Sequence, residues 1–194
     1  MRAWRGLGLA GALLLLAAAG EPPAAERVVP GGRSGWAADG AGGCWVWVGG
    51  IEAGASDVTA RWSGTCPEGP AEGSGRSDIR WRVGGKDRSM EYEGTLVRGK
   101  AEGPGRLTTR EDGQVIAIEE GEYRNDHLTK GRLEMSRLGL VFEGGMRAGQ
   151  PQGQGRLTLR GQVFEGDWQN GCLELQGRWI AFTRPARSCQ GEDT

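Results

Sequence analysis

Apolar residues fall at every second position in several short segments of this chain, with a glycine between them on the same side. Tyr92, Gly94 and Leu96 share one side of an extended segment, as do Phe142, Gly144 and Met146, and Phe164, Gly166 and Trp168. A period of two is the signature of strands. Each segment runs into a glycine turn, Arg98-Gly99, Ala148-Gly149 or Asn170-Gly171, where a positive φ is convenient. Alternation then resumes in Arg106-Leu107-Thr108-Thr109 and Arg156-Leu157-Thr158-Leu159, and Asp112-Gly113 and Arg160-Gly161 turn the chain again. The predicted unit is a β-hairpin of about 22–30 residues. The central glycine is expected to leave room for an aromatic ring from a neighbouring strand to lie over the backbone.

The same phrase recurs along the sequence: aromatic, any residue, Gly, a turn, then Gly-x-Gly-Arg. It reads Trp62-Ser63-Gly64 to Gly73-Ser74-Gly75-Arg76, Tyr92-Glu93-Gly94 to Gly103-Pro104-Gly105-Arg106, and Phe142-Glu143-Gly144 to Gly153-Gln154-Gly155-Arg156. In these copies the first Gly and the Gly of Gly-Arg lie eleven residues apart. Weaker copies run from Gly121 to Gly131-Arg132, one residue short, and from Phe164-Glu165-Gly166 to Gly177-Arg178. The third copy lacks an aromatic before Gly121 and loses the first Gly of Gly-x-Gly around Lys130, and the fifth has Leu175 there. Those two hairpins are expected to be distorted or to act as caps. Stacked in order, five hairpins predict an all-β, elongated, single-layer antiparallel sheet.

This pattern resembles the MORN (membrane occupation and recognition nexus) repeat, with residues 91–107 and 141–157 the nearest matches. The first copy, Arg61-Trp62-Ser63-Gly64-Thr65-Cys66 with Cys44-Trp45-Val46-Trp47 upstream, resembles a variant of exported bacterial MORN proteins. That resemblance supports pairing of Cys44 with Cys66. It also implies a scaffolding or adaptor role, and lipid binding has been proposed for such arrays. The resemblance spans roughly two thirds of the chain.

Composition agrees with a thin structure. Glycine supplies 37 of the 194 residues, far above the roughly 7% of ordinary proteins. Only 37% of residues are hydrophobic, too few for a thick core. Arg2 and Arg5 before the apolar stretch Leu7 to Ala19, with Ala17-Ala18-Ala19-Gly20 following, read as a signal peptide over 1–20. An uncleaved membrane anchor is the alternative, although a span needs about 20 apolar residues. Residues 21–43 are expected to be a flexible Ala/Gly/Pro-rich spacer, 44–189 the repeat domain with hairpins from residue 60, and 190–194 a polar tail. Removal of 1–20 takes away two arginines and no acid, leaving 22 basic against 25 acidic residues, a net charge of −3. That balance invites neither nucleic acid nor an anionic membrane.

Four cysteines in an exported chain predict two disulfides. Three connectivities are open, and the sequence-local one, Cys44 with Cys66 and Cys172 with Cys189, is expected. No Cys-x-x-Cys or Cys/His cluster occurs, so zinc is a poor reading and no metal or cofactor is expected.

Two surfaces are candidates for function. Glu93, Glu120, Glu143 and Glu165 each precede the first Gly, and Arg76, Arg106, Arg132, Arg156 and Arg178 each follow the last. Parity puts both sets opposite the aromatics, as parallel rows of carboxylates and guanidiniums. The charged candidates are Arg106, Arg156, Glu93 and Glu143: a solvated ladder of ion pairs, or a row that recognises an acidic partner. The other surface is the aromatic strip of Trp62, Trp81, Tyr92, Phe142, Phe164 and Trp168. It either forms the only core there is or anchors a partner's helix or extended segment.

Catalysis is not expected. His127 is the only histidine and sits in a turn, and Ser63, Ser74 and Ser89 have no base placed beside them. Glu119 and Glu120 are neighbours on a strand and point to opposite faces, so they cannot act as a glycosidase pair. Gly103-Pro104-Gly105 leads into a strand rather than a helix, so it is no phosphate loop. The expected function is that of an exported, non-enzymatic interaction or scaffold module with a protein partner. The alternative is a module that binds an envelope component, a glycan or a lipid headgroup, through the aromatic strip.

Overall fold

Two-residue turns set the architecture. In a computed structural model, which describes residues 34–40 and 43–190, the pairs Arg98-Gly99, Asp112-Gly113, Ala148-Gly149 and Arg160-Gly161 all have both φ angles positive, from 48° to 84°. That is the geometry whose twist matches antiparallel strands. Turns of this length join most of the strands β3 (Ser56–Trp62), β4 (Gly73–Val83), β5 (Lys86–Val97), β6 (Lys100–Glu111), β7 (Gln114–Arg124), β8 (His127–Met135), β9 (Leu140–Arg147), β10 (Gln150–Leu159) and β11 (Gln162–Trp168), the exceptions being β3 to β4 and β8 to β9. These strands form one nine-stranded antiparallel sheet in sequence order. The sheet is open, with β3 and β11 at its edges. Among the described residues there is no α-helix.

The repeated glycines align across this sheet. Gly75, Gly94, Gly105, Gly121, Gly131, Gly144, Gly155 and Gly166 are successive register partners from β4 to β11. Two residues away on each strand runs a second row, Trp62, Ser77, Tyr92, Leu107, Glu119, Leu133, Phe142, Leu157 and Phe164. Rings over glycine are present, but their source differs from the expectation. The rings of Trp62, Tyr92 and Phe142 each stand two places before a glycine on the same strand and also cover the glycine of the next strand, whereas Gly166 is covered by Leu173. A Cβ on Gly105 would stand 2.5 Å from Tyr92 Oη, and one on Gly155 would stand 2.6 Å from Phe142 Cζ. Trp62 lies over Gly64 and Gly75 in the same manner.

The first glycine of Gly-x-Gly has a different task. Between β5 and β6, Gly94 pairs with Gly105 but Thr95 pairs with Glu102, and between β9 and β10 the register slips likewise between Gly155 and Pro151. The slip is a β-bulge, and Gly103 and Gly153 sit in it at φ 74° and 75°. In the third hairpin Glu122 pairs with Lys130 and Tyr123 with Leu128, so only Thr129 is extra. Its hydroxyl donates to the Glu122 carbonyl at 2.9 Å. The missing residue of the third copy is therefore a smaller bulge that needs no left-handed glycine.

Both ends of the aromatic face are closed by caps. At the N-terminal end, β1 (Ser34–Ala38) pairs with β2 (Trp45–Gly49), and Val46, Val48, Ile51 and Ala55 join the core with Trp62, Ile79, Trp81, Tyr92 and Leu96. β1 is a correction to the expected flexible spacer. Trp36 packs edge-on against Trp45 at 5.9 Å and Trp47 at 5.1 Å, which fixes that segment. The expected signal peptide (1–20), most of the spacer and the last four residues lie outside the described residues.

At the other end, the fifth copy does not complete a hairpin of the sheet. Phe164 to Trp168 belongs to β11, while β12 (Cys172–Leu175) and β13 (Arg178–Ala181) form a separate two-stranded unit. Gln176 and Gly177, at φ 51° and 76°, are its turn. Leu175 cannot supply the left-handed bulge that Gly103 and Gly153 supply, so the chain turns here instead. Phe182 then packs 5.6 Å from Phe142 and 6.0 Å from Trp168. The disulfides are Cys44–Cys66 and Cys172–Cys189, as the sequence-local pairing expects.

Candidate functional site

The two sheet faces differ sharply in what they expose. On the aromatic face, Trp62, Tyr92, Phe142 and Trp168 are all buried, Phe142 and Trp168 completely, and Phe164 is half-buried at the edge. Trp81 is buried too, its indole donating to Glu52 Oε2 at 2.7 Å. These residues are the core. The expectation that they offer a free docking strip is corrected: a one-layer sheet has no other interior, so the two caps and the rings themselves take up the apolar area.

The third repeat breaks the aromatic row with Glu119. Its missing ring is replaced from the far side of the glycine by Tyr123, which packs edge-on against Tyr92 with ring centres 5.4 Å apart. Tyr123 Oη donates to Glu119 Oε2 at 3.4 Å. Burial pushes the Glu119 carboxyl above its ordinary range, offset in part by that hydrogen bond. Burial likewise raises the Tyr92 hydroxyl to about 12. At the next turn, Asp126 takes a left-handed φ of 72°. Its Oδ1 accepts the Ala101 N–H at 3.3 Å, and burial raises its carboxyl to about 6 against the opposing pull of that bond and Lys100.

On the opposite face a single charged row crosses the sheet: Arg76, Glu93, Arg106, Glu120, Arg132, Glu143, Arg156 and Glu165 are successive partners. The sequence places arginines and glutamates in separate rows, whereas antiparallel pairing interleaves them into one alternating line. Arg178, expected in this line, lies on β13 instead. Arg106 bonds Glu120 at 2.6 Å and Arg132 bonds Glu143 at 3.2 Å, all four being 44–58% exposed. Arg76 turns aside to Glu91, while Glu93, Arg156 and Glu165 make no ion pair among the described residues. Exposed pairs of this kind contribute at most about 1 kcal/mol each, so the row adds little to stability.

Two features carried no flag in the sequence reading. One is a stitch between hairpins: the Gly99, Asp126 and Gly171 N–H groups donate to the carbonyls of Ala71, Ala101 and Pro151 at 2.8–2.9 Å. Beside them, the Arg98, Asn125 and Asn170 N–H groups donate to the side chains of Glu72, Glu102 and Gln152. The signal was present as Ala-Glu-Gly, Ala-Glu-Gly and Pro-Gln-Gly at corresponding positions. The other is Glu111, buried at the end of β6, where Lys86 at 2.8 Å, Arg88 at 2.7 Å and Arg137 at 2.5 Å converge on it. Hydrogen bonds from Lys86 and Arg137 hold its carboxyl down at about 2. Arg137 comes from the 3-10 turn Ser136–Leu138, which replaces a two-residue turn between β8 and β9.

Asp39, Cys44 and Cys66 lie close enough to suggest metal ligands, but both sulfurs are spent in the disulfide and Asp39 Oδ2 accepts the Trp62 N–H at 2.6 Å. His127 is exposed at the start of β8. Glu119 and Glu120 do face opposite sides.

A row of hairpins with aligned glycines, rings folded over them and a charged line behind defines a repeat protein built for a surface. The MORN repeat family model matches residues 92–111 and 142–161, so the chain carries MORN repeats in its second and fourth hairpins. Such repeats are generally protein- or membrane-interaction modules. No curated protein matches the chain. The two disulfides suit an oxidising compartment.

Proposed function

We propose that this chain is an exported, non-enzymatic module that docks another protein on its charged face. The carrying observation is the asymmetry of the sheet: caps close the aromatic side, while the alternating Arg/Glu line stays exposed along eight strands. An alternating line selects a partner by register, because each one-strand shift opposes like charges. It offers anionic phosphates a repulsive carboxylate at every second step, which argues against a lipid headgroup. Export is supported by Arg2, Arg5 and the apolar stretch Leu7 to Ala19 together with the disulfides.

The test is affinity capture from the oxidising compartment of the source cell with the full chain as bait. One protein in stoichiometric yield is expected. Capture is expected to fail with Arg106→Glu/Arg156→Glu and to return, at least in part, when the partner's facing charges are inverted. An empty capture, or one indifferent to these substitutions, would sink the proposal. Sedimentation with anionic vesicles instead of protein would move the function to membranes.

A further inference from the structure

Seven tryptophans lie within the described residues, and six have either a ring partner or an indole hydrogen bond. Trp36 packs edge-on against both Trp45 and Trp47, with Lys100 Nζ 4.5 Å over Trp47, while the buried Trp45 indole N–H has no hydrogen-bond partner among the described residues. Trp62 donates to the Glu72 carbonyl, Trp81 to Glu52 and Trp168 to the Gly155 carbonyl. Trp179 alone has neither a ring partner nor an indole hydrogen bond among the described residues. Buried or half-buried indoles ordinarily find both an apolar neighbour and a polar one.

Trp179 lines an open pocket of about 420 Å³ with Asp167, Gln169, Asn170, Glu174 and Arg184. That volume falls in the roughly 300–1,000 Å³ of small-ligand sites. The walls are fixed. Trp179 and Glu174 are register partners on the outer side of the β12–β13 unit, while Leu173 and Ile180 on the other side join the core. The Cys172–Cys189 disulfide holds the 3-10 segment Ala186–Gln190 against that unit. Arg184 is tethered to Ser188 Oγ at 2.8 Å and to the Asn170 carbonyl at 3.3 Å. The Asn170 side chain accepts from Arg147 at 2.8 Å. The side chains of Asp167, Gln169 and Glu174, by contrast, make no hydrogen bond or ion pair among the described residues.

We infer that this pocket is a binding site for the neutral pyranose units of a glycan. An indole face covers the apolar C–H face of a sugar ring, and the ring's hydroxyls point outward to groups that can accept and donate. Two free carboxylates supply acceptors, and the Gln169 amide supplies both kinds. The pocket's formal charge, two carboxylates against one guanidinium already bonded, repels sulfated sugars, uronic acids and phosphates. This site is separate from the charged face, on a different element and at one end of the sheet.

The test uses the full chain labelled with 5-fluorotryptophan and read by fluorine NMR. The Trp179 resonance is identified by its loss in Trp179→Leu, and unchanged thermal unfolding in that variant keeps the comparison fair. Probes are cellotetraose, maltotetraose and the N-acetylglucosamine tetramer, with a galacturonate oligomer and a tetralysine peptide alongside. A saturable shift of that resonance with at least one neutral tetramer is expected, weakened about tenfold or more in Asp167→Leu/Glu174→Leu, as the loss of site hydrogen bonds predicts. No response to any neutral tetramer, an equal response to tetralysine or galacturonate, or a response indifferent to the double substitution would each overturn the assignment.

Discussion

At the residue scale, the same carboxyl chemistry acts in opposite directions at three positions. Asp126 and Glu119 are raised by burial, so their charged forms are less favourable in the folded chain than in the unfolded one. Their burden is absent while both states are protonated, grows as pH rises past the ordinary carboxylate range, and for Asp126 is complete above about 6. Asp126→Asn, which keeps an acceptor for the Ala101 N–H and tolerates the left-handed turn, is expected to raise the melting temperature at neutral pH. The gain should vanish below pH of about 4; a gain independent of pH would mean that charge is not the cause. Glu111 runs the other way. Its carboxyl is lowered, so its three-cation cluster stabilises the fold above the ordinary Glu range and is lost as pH falls through about 2. Glu111→Gln is therefore expected to lower the melting temperature at neutral pH and to converge with the parent in strong acid. The ring-over-glycine contact gives a second test at this scale. Gly105→Ala drives a methyl into Tyr92 and is expected to cost about 1–3 kcal/mol in chemical denaturation, whereas Ala at an exposed strand position costs little.

At the scale of elements, what the sequence made legible was whatever depends on local spacing. Alternation gave the strands of the second and fourth hairpins, and paired turn residues such as Arg98-Gly99 gave their connections. Whatever depends on register was hidden. Glu93 and Arg106 are thirteen residues apart in sequence, and only strand pairing reveals that they alternate in one line. Gly177-Arg178 copies the phrase but serves as a turn, because Leu175 cannot enter the bulge that precedes it elsewhere. Turn glycines also look alike in sequence yet differ in surroundings. Gly99 and Gly113 both have positive φ, but a Cβ on Gly99 would stand 2.6 Å from Trp36 and 2.9 Å from the Trp45 carbonyl, while one on Gly113 meets nothing. Gly113→Ala is expected to cost only the left-handed penalty of about 1–2 kcal/mol. Gly99→Ala adds the displacement of the N-terminal cap and is expected to cost about twice that or more. Equal costs in urea titrations would show that the cap does not bear on the turn.

At the scale of the whole molecule, the sheet is a stack in which each hairpin touches its neighbours and little else, so disturbance should stay local. The caps turn that into a measurable asymmetry. Phe182 rests on Phe142 and Trp168, both wholly buried, and is itself only partly buried. Phe182→Ala removes the cover from β9, β10 and β11 without touching the N-terminal cap, whose core of Val46, Val48 and Ile51 lies over the first strands. The loss is expected to be about 2 kcal/mol, below the roughly 3–5 kcal/mol of a fully buried Phe. Hydrogen exchange followed by mass spectrometry should place it: faster exchange in β9–β11 and in β12–β13, unchanged exchange in β3–β5. The interleaved charges cannot relay the change, since exposed pairs are too weak to couple distant strands. Uniform acceleration over all nine strands would instead mean that the array unfolds as one unit, and that the line of glycines, where backbones and rings meet most closely, couples the strands more strongly than nearest-neighbour packing does.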